Sequence, residues 1–266
     1  MVAHLTSRVN PQLKKIRLVA SGSHRAHEGL VVAEGIRVLE EVHKAGCEIE
    51  SLAFTEHFGK DAREKNLLDT WRAKKIPAYK IDKRLFQSLS CVQTPQGAIA
   101  LVRVARLSLD DIVLTPNALI LCACEIQDPG NLGTLIRTAA AVGASFVCTS
   151  KGTVSARNPK ALRSSAGAFF RLPLIEGVEL DDFLAYCDSH SIHSFRTDTR
   201  QGMCYTEADL RRPCAILLGN EGSGITNAAC AASSTIHIPM ADGVDSLNVA
   251  MTGAIILFEA FRQRHD

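Results

Sequence analysis

The chain has 266 residues, of which 46% are hydrophobic and 22% are charged. This length and composition are ordinary for a soluble globular protein of one large or two modest domains. The formal net charge of +2 neither supports nor excludes a nucleic-acid partner, because a local basic face matters more than the sum.

The same inventory argues against secretion, a membrane span and a metal site. Residues 1–17 lack the apolar segment of a secretory signal, and the apolar run at 249–258 is too short to span a bilayer. Most of the nine cysteines lie inside apolar runs, where a reduced thiol packs as a small hydrophobe, and none forms a CxxC pair. We therefore expect a cytoplasmic protein without a metal or a membrane partner.

Residues 8–104 are rich in Lys, Arg and Glu and alternate short strand and helix patterns, which predicts a small α/β domain. Strands are predicted at residues 31–35, 51–55 and 99–102, and helices at residues 36–42 and around Trp71 as far as 76–77. Residues 105–117 have little apolar periodicity and are interpreted as a linker.

Residues 118–266 repeat a strand followed by a helix, which is the pattern of a parallel sheet with crossover connections. The predicted strands are residues 119–122, 146–149, 192–195, 216–218 and 235–238. A long apolar segment after residue 248 predicts a buried helix at the end of the chain.

The first polar signature, residues 128–138, follows the strand at 119–122. Asp128, Pro129 and Gly130 form a turn signature that opens a helix. At about 100° per residue, one side of that helix is apolar and the other is polar. The apolar stripe comprises Leu132, Leu135, Ile136 and Ala139, and the polar side comprises Asn131, Thr134, Arg137 and Thr138. A solvated arginine is the ordinary interpretation of Arg137.

The second signature, residues 218–224, contains Gly219, Gly222 and Gly224 after an aliphatic strand, which allows the backbone to approach a ligand closely. A plain strand-to-helix turn is the simpler interpretation. A P-loop is rejected because the GK[ST] ending is missing, and the glycine order also differs from a dinucleotide fingerprint. Glu221 would repel a phosphate but could accept hydrogen bonds from a ribose hydroxyl or hold Arg137.

The third signature joins residues 238–240 to residues 246–249. Ser246 is interpreted as the N-cap of the last helix, and capping alone would explain it. Asn248 would then lie in the first turn of an otherwise apolar helix, where its amide needs partners.

Taken together, the three signatures resemble those of the SpoU (TrmH-type) RNA ribose 2′-O-methyltransferases. The stretches 31–37 and 92–100 resemble a ribosomal-protein-L30e-like substrate-binding domain, so the resemblance covers nearly the whole chain. It implies an α/β fold with a C-terminal trefoil-knotted SPOUT methyltransferase domain, an exception to the rule against threaded loops. It also implies S-adenosylmethionine as cofactor, RNA as substrate, and a homodimer to which the last helix contributes.

The resemblance assigns roles to residues by motif. Those implied at the catalytic centre are Asn131, Arg137, Glu221, Ser246 and Asn248. Those implied at the cofactor are Thr197, Gly219, Ile238, Leu247 and Asn248. Arg137 is read chiefly as a phosphate ligand, because a guanidinium is a poor proton acceptor with a donor fork suited to phosphate. Lys160 and Arg163 resemble the family's basic segment; a surface charge pair is their ordinary interpretation, and binding to RNA phosphates is the alternative. Cys124 stands where many relatives have an acid.

Three alternatives remain at this stage. The same chemistry on transfer RNA is the first, although the N-terminal domain favours ribosomal RNA. A non-catalytic RNA-binding protein of this fold is the second, and the five intact catalytic positions argue against it. A nicotinamide-dependent dehydrogenase is a distant third, since its glycine fingerprint is absent.

Overall fold

The computed structural model describes residues 2–22, 29–90, 92, 94–220, 224–225 and 233–266. The chain divides into two compact units. The first comprises Met1–Arg106 with Arg157–Phe170, and the second comprises Leu107–Ala156 with Arg171–Asp266. Residues 157–170, predicted from the sequence to belong to the C-terminal domain, group with the first unit.

The first unit contains a mixed five-stranded sheet in the order β1-β4-β3-β5-β2. Its strands are β1 (Val2–Leu5), β2 (Leu30–Glu34), β3 (Glu48–Phe54), β4 (Ala78–Ile81) and β5 (Ala98–Arg103). Its helices include α1 (Pro11–Ala20), α2 (Ile36–Lys44), α3 (Ala62–Ala73) and α4 (Lys83–Gln87). The predicted elements β2, α2, β3, α3 and β5 are confirmed, whereas β1, α1, β4 and α4 were not predicted.

Helix α1 illustrates how local sequence builds this unit. Asn10 caps it by accepting a hydrogen bond from the Gln12 amide at 2.9 Å, and Pro11 occupies the first turn, where no amide donor is needed. The buried residues of α1 belong to a core to which α4 also contributes; they are Leu13, Ile16, Val19 and Ala20. Both helices therefore pack on the same core of the first unit.

The second unit contains a parallel seven-stranded sheet in the order β10-β12-β9-β11-β6-β7-β8. Its strands are β6 (Leu119–Ala123), β7 (Phe146–Ser150), β8 (Leu174–Val178), β9 (His193–Thr197), β10 (Met203–Cys204), β11 (Cys214–Leu218) and β12 (Ser234–His237). The helices between and after them are α5 (Pro129–Ala141), α7 (Leu180–Ser189) and α8 (Val249–His265), while α6 (Pro159–Ser164) lies in the stretch that groups with the first unit. The predicted α/β class with a parallel sheet is confirmed.

The strands that the sequence predicted best are the central ones. All residues of β6, β7 and β11 are buried, as expected for strands covered on both faces by helices. β8 and β10 were missed because they lie at the two edges. β8 is interrupted by Glu176 and Gly177, and β10 has only two residues.

The strand order creates a switch point in the second unit. Strands β7 and β8, which follow β6 in the chain, lie on one side of it. The later strands β9, β10, β11 and β12 all lie on the other side, with β11 directly beside β6. In open parallel sheets, ligands bind outside the carboxyl ends of strands at such a point. The carboxyl ends of β6 and β11 therefore mark where a site is expected.

Residues 107–114, part of the predicted linker, pack against the core of the second unit through Leu107, Leu109, Ile112 and Leu114. A single 3₁₀ turn, Leu109–Asp111, is fixed by a capping box between Ser108 and Asp111. This segment is thus an ordered part of the second unit.

The thiols predicted to be reduced core residues are buried and free at positions 122, 124, 148 and 214, as is Cys187. Burial raises the pKa of Cys187 to about 12 and that of Cys214 to about 11. No helix in the described part of the chain combines the length and apolar character needed to cross a membrane.

Candidate active site

A cavity of about 290 Å³ opens at the carboxyl edge of the parallel sheet. It lies at the ends of β9, β11 and β12 and the start of α8, and the predicted residues Thr197, Gly219, Ile238, Ser246 and Leu247 all line it. Parts of the second and third signatures, about 20 residues apart in sequence, are therefore brought to one place.

Position 219 has room only for a glycine, because neighbouring atoms occupy the space that a Cβ would need. A Cβ on it would lie 2.7 Å from the Gly224 carbonyl oxygen and 2.7 Å from Cγ1 of Ile225. The loop folds back on itself, since the Asn220 and Gly224 amides each donate to the other's carbonyl oxygen, at 3.2 and 2.9 Å. The Asn220 side chain also donates to the Glu125 carbonyl oxygen at 2.9 Å, which joins the loop to the end of β6. Glu221, predicted to act beside this loop, lies outside the described residues.

The first signature forms the N-terminal turns of α5. Asp128 is the N-cap and accepts a hydrogen bond from the Asn131 amide at 2.9 Å, with Pro129 following it. The predicted apolar stripe is buried throughout, which leaves Arg137 exposed on the opposite side. No hydrogen bond or ion pair engages the Arg137 guanidinium within the described part of the chain. Its donors are available to an external ligand.

The cap of α8 corrects one prediction. Asn248 is the N-cap rather than Ser246, and its Oδ1 accepts from the amides of Ala250 and Met251 at 2.9 and 3.3 Å. Asn248 therefore precedes the helix instead of lying inside its first turn. Its Nδ2 donates to Oδ1 of Asn131 at 3.1 Å. The Asn248 side-chain amide therefore has partners at both ends: its oxygen caps α8 and its nitrogen donates to the first signature.

Helices α5 and α8 pack so closely that position 253 of α8 has room only for a glycine. A Cβ there would overlap Leu135 of α5 and lie 2.6 Å from Cδ1 of Leu218 in β11. The close approach of the helices sets Asn131 and Asn248 side by side at their N-terminal ends.

The ionisable residues that line the cavity, Arg196, Asp198 and His237, were not predicted from the sequence. Arg196 donates from Nε to Oγ1 of Thr235 at 2.9 Å. Hydrogen bonds from the Arg200 and Gln201 amides, with the charge of Arg196, lower the pKa of Asp198. Their position at or just after the carboxyl ends of β9 and β12 was the available signal.

The remaining predicted residues lie elsewhere. Lys160 and Arg163 are exposed on α6, which Asn158 caps by accepting from the Lys160 amide at 2.8 Å. Cys124 is 3% exposed and belongs to the core rather than to the cavity. Within the described ranges, no group of three His, Cys, Asp or Glu side chains could hold a metal ion.

Comparison with known proteins agrees with this arrangement. Residues 118–258 match the SpoU rRNA Methylase family, and residues 10–100 match an MRM3-like substrate binding domain. An uncharacterized tRNA/rRNA methyltransferase of Synechocystis sp. is 31% identical, over 99% of this chain and 95% of its own length. The 23S rRNA (guanosine(2553)-2′-O)-methyltransferase RlmP of Bacillus subtilis is 27% identical, over 96% of this chain and 97% of its own.

Among solved structures, the AdoMet-bound rRNA methyltransferase from Sinorhizobium meliloti superposes with a TM-score of 0.87 at 26% identity, covering 98% of both chains. The predicted resemblance to SpoU methyltransferases is confirmed over both units. The chain is a member of the SpoU rRNA methylase family.

Proposed function

We propose that this protein transfers a methyl group from S-adenosylmethionine to a ribose 2′-hydroxyl of ribosomal RNA. The observation that carries the proposal is the contact between Asn131 and Asn248 beside a cavity lined by the second and third signatures. The relatives named above support the reaction, and the names of the Bacillus subtilis and Sinorhizobium meliloti enzymes favour ribosomal over transfer RNA.

The cavity fits the cofactor in size and lining. Gly219 lies at the cavity wall, and Ile238, Leu247 and Ile225 offer apolar contact to an adenine ring. Thr197 and Ser246 add hydroxyl groups at its border. When bound, S-adenosylmethionine supplies an activated methyl group on a sulfonium centre. The chain's own contribution is to hold and align the reactants, which can account for much of the rate.

Arg137 is assigned to the RNA phosphate next to the target ribose. Its guanidinium is exposed and has no partner in the described structure, and a planar donor fork binds phosphate oxygens in pairs. Asn131 and Asn248 orient the ribose from their shared hydrogen bond, and Ser246 lies at the cavity rim. Glu221 supports this centre in our proposal, although it lies outside the described residues.

RNA recognition is assigned to an N-terminal domain of residues 8–104, joined through residues 105–117 to a catalytic domain of residues 118–266. Lys160 and Arg163 are proposed as further phosphate ligands because both are exposed.

A knotted homodimer in the cytoplasm completes the proposal. Met251 and Phe258 of α8 are 51% and 52% exposed and lie two turns apart, so they fall on one face. Such apolar exposure suits a helix that packs against a second copy. The insertion of β11 between β6 and β9, which both precede it, supports a threaded C-terminal segment.

The proposal is tested by assaying transfer of radiolabelled methyl groups to ribosomal and transfer RNA in parallel. We expect labelling of ribosomal RNA, and a 2′-O-methyl site that disappears from cells lacking the protein. Labelling of transfer RNA alone would redirect the substrate assignment. If the protein bound RNA but neither bound S-adenosylmethionine nor transferred methyl groups, it would be a non-catalytic RNA-binding member of the fold.

A further inference from the structure

The ionisable side chains among the residues that line the cavity are Arg196, Asp198 and His237. Thr235 of β12 lies beside Arg196 of β9 in the parallel register, so these two side chains point to the same side of the sheet. His237 follows two residues after Thr235 and therefore shares that side. Arg196 and His237 thus project from adjacent strands onto one face at its carboxyl edge.

Arg196 is held so that the outer end of its guanidinium stays free. Its Nε donates to Oγ1 of Thr235 at 2.9 Å, which fixes the inner end of the fork. Across the described residues, no carboxylate or carbonyl group engages its two terminal nitrogens. A guanidinium presented in this way suits a pair of acceptor oxygens such as a carboxylate.

His237 adds a second donor beside it. Its Nδ1 is buried and has no hydrogen-bond partner in the described structure, which leaves Nε2 as the nitrogen able to meet a ligand. An imidazole whose Nδ1 has no acceptor nearby is best satisfied when the proton resides on Nε2. In that form His237 offers the cavity one N–H donor.

Asp198 provides a negative charge in the same cavity. Its Oδ1 accepts from the amides of Arg200 and Gln201, each at 2.9 Å, and these bonds favour the ionised form. Within the described part of the chain it makes no ion pair with Arg196. The cavity therefore carries a cationic fork and a separate carboxylate.

We infer that Arg196, Asp198 and His237 bind the amino-acid end of the cofactor. The guanidinium and Nε2–H donate to its carboxylate, and the carboxylate of Asp198 accepts from its ammonium group. Adjacent groups of opposite sign suit a zwitterion, whereas the apolar side chains Ile225, Ile238 and Leu247 suit the adenine. This inference rests on the proposed cofactor cavity and assigns its orientation.

The first test uses the unmodified protein and isothermal titration calorimetry. We compare S-adenosylmethionine with its decarboxylated form, which lacks the carboxylate, and with 5′-methylthioadenosine, which lacks the whole amino-acid end. The decarboxylated form should bind at least tenfold more weakly than S-adenosylmethionine. Equal affinities would overturn the inference, whereas failure of all three ligands to bind would instead contradict the proposed cofactor cavity.

The second test locates the effect on these residues. Arg196→Met should weaken S-adenosylmethionine at least tenfold and 5′-methylthioadenosine less than twofold, since only the former carries the carboxylate. Asp198→Asn keeps an oxygen for the two amides but loses the charge, and should weaken binding by a comparable factor. Arg200→Met is the matched control, because Arg200 pairs with exposed Asp245 at 3.3 Å and does not line the cavity.

His237 is tested by two amides of different reach. Glutamine can place a donor near the position of Nε2 and asparagine near that of Nδ1, so His237→Gln should retain more affinity than His237→Asn. Melting temperatures should identify any variant that fails to fold. If Arg196→Met weakened both ligands equally, its role would be structural, and if it weakened RNA binding alone, the anion would be a phosphate; either result overturns the inference.

Discussion

The Asn248 side chain donates a hydrogen bond to Oδ1 of Asn131 at 3.1 Å while its own Oδ1 caps helix α8. One amide thus uses both ends, the acceptor for the helix and the donor for the first signature. Because these partners belong to segments 117 residues apart, the contact joins the first signature to the third. It fixes Asn131 at the place where the ribose is expected to lie.

The two functions of Asn248 can be separated by substitution. Asn248→Asp keeps the cap oxygen and loses the donor to Asn131, so kcat should fall at least tenfold with little change in the free energy of unfolding. Asn248→Ala loses both groups and should also lower the free energy of unfolding by about 1 kcal/mol, the usual value of an N-cap. Urea denaturation and methyl-transfer kinetics measure these effects. A fully active Asp variant would show that the contact with Asn131 is dispensable.

Arg137 should be essential for methyl transfer and irrelevant to folding. Arg137→Ala removes an exposed side chain, so the melting temperature and cofactor affinity should stay near wild type. The rate should fall more than tenfold, equivalent to more than about 1.4 kcal/mol of transition-state stabilisation. Arg137→Lys should not rescue it, because a point charge lacks the bidentate fork. An alanine variant with more than about a tenth of wild-type kcat would contradict the assignment.

Gly219 should tolerate no side chain. The structure gives the reason, since a Cβ would crowd the Gly224 carbonyl and Ile225 of its own loop. Gly219→Ala should therefore displace this loop and weaken S-adenosylmethionine binding, and Gly219→Val should abolish it. Calorimetry measures the affinity, which we expect to be micromolar in the wild type, about −8 kcal/mol. Unchanged affinity in the alanine variant would place the cofactor away from this loop.

RNA affinity should depend on cations of the first unit that have no carboxylate partner. Lys14 on α1 and Arg84 on α4 are exposed and unpaired in the described structure, whereas Lys15 pairs with Glu50. Lys14→Ala with Arg84→Ala should weaken RNA binding and lower the slope of log Kd against log salt by about 0.7 to 0.9 per lost phosphate contact. Filter binding at several salt concentrations measures this slope.

Arg72→Ala is the matched control, because Arg72 already pairs with Asp69 at 3.1 Å. A loss per removed charge that is as large in the control as in the double variant would mean that net charge alone governs binding. Point variants are preferable to removing residues 1–105, because residues 157–170 belong to the same compact unit and would lose their partners.

The buried thiols should make the protein less stable at alkaline pH. The folded-state pKa values of Cys187, about 12, and Cys214, about 11, lie above the ordinary value of 9.0. Protonated thiols are common to both states below about pH 9, but above it only the unfolded chain releases these protons. The free energy of unfolding should therefore fall as pH rises from about 9 toward 11 or 12, by up to about 1.4 kcal/mol per pH unit for each group.

Urea denaturation at pH 8, 9 and 10 measures this loss, and Cys187→Ala should show a smaller decline. In the native protein at pH 8, an alkylating reagent should modify the half-exposed Cys204 before Cys187 or Cys214. An equal pH dependence in the alanine variant would show that other groups cause the decline.

The sequence by itself determined the central strands and the family. β6, β7 and β11 are continuous apolar runs because both of their faces are buried, and a pattern that depends on burial can be read without coordinates. The buried stripe of α5, with Arg137 opposite it, followed from the 3.6-residue period alone. The edge strands β8 and β10 were missed, since an edge strand is short or interrupted and carries no such run.

Only the tertiary structure decided which polar groups meet. No periodicity could show that Asn248 rather than Ser246 caps α8, or that its other end reaches Asn131, because that contact depends on the packing of α5 against α8 at Gly253. Arg196 and His237 likewise become neighbours only through the register of β9 with β12. Local sequence sets which face of each element is apolar, but strand order and helix packing determine which polar ends share a site.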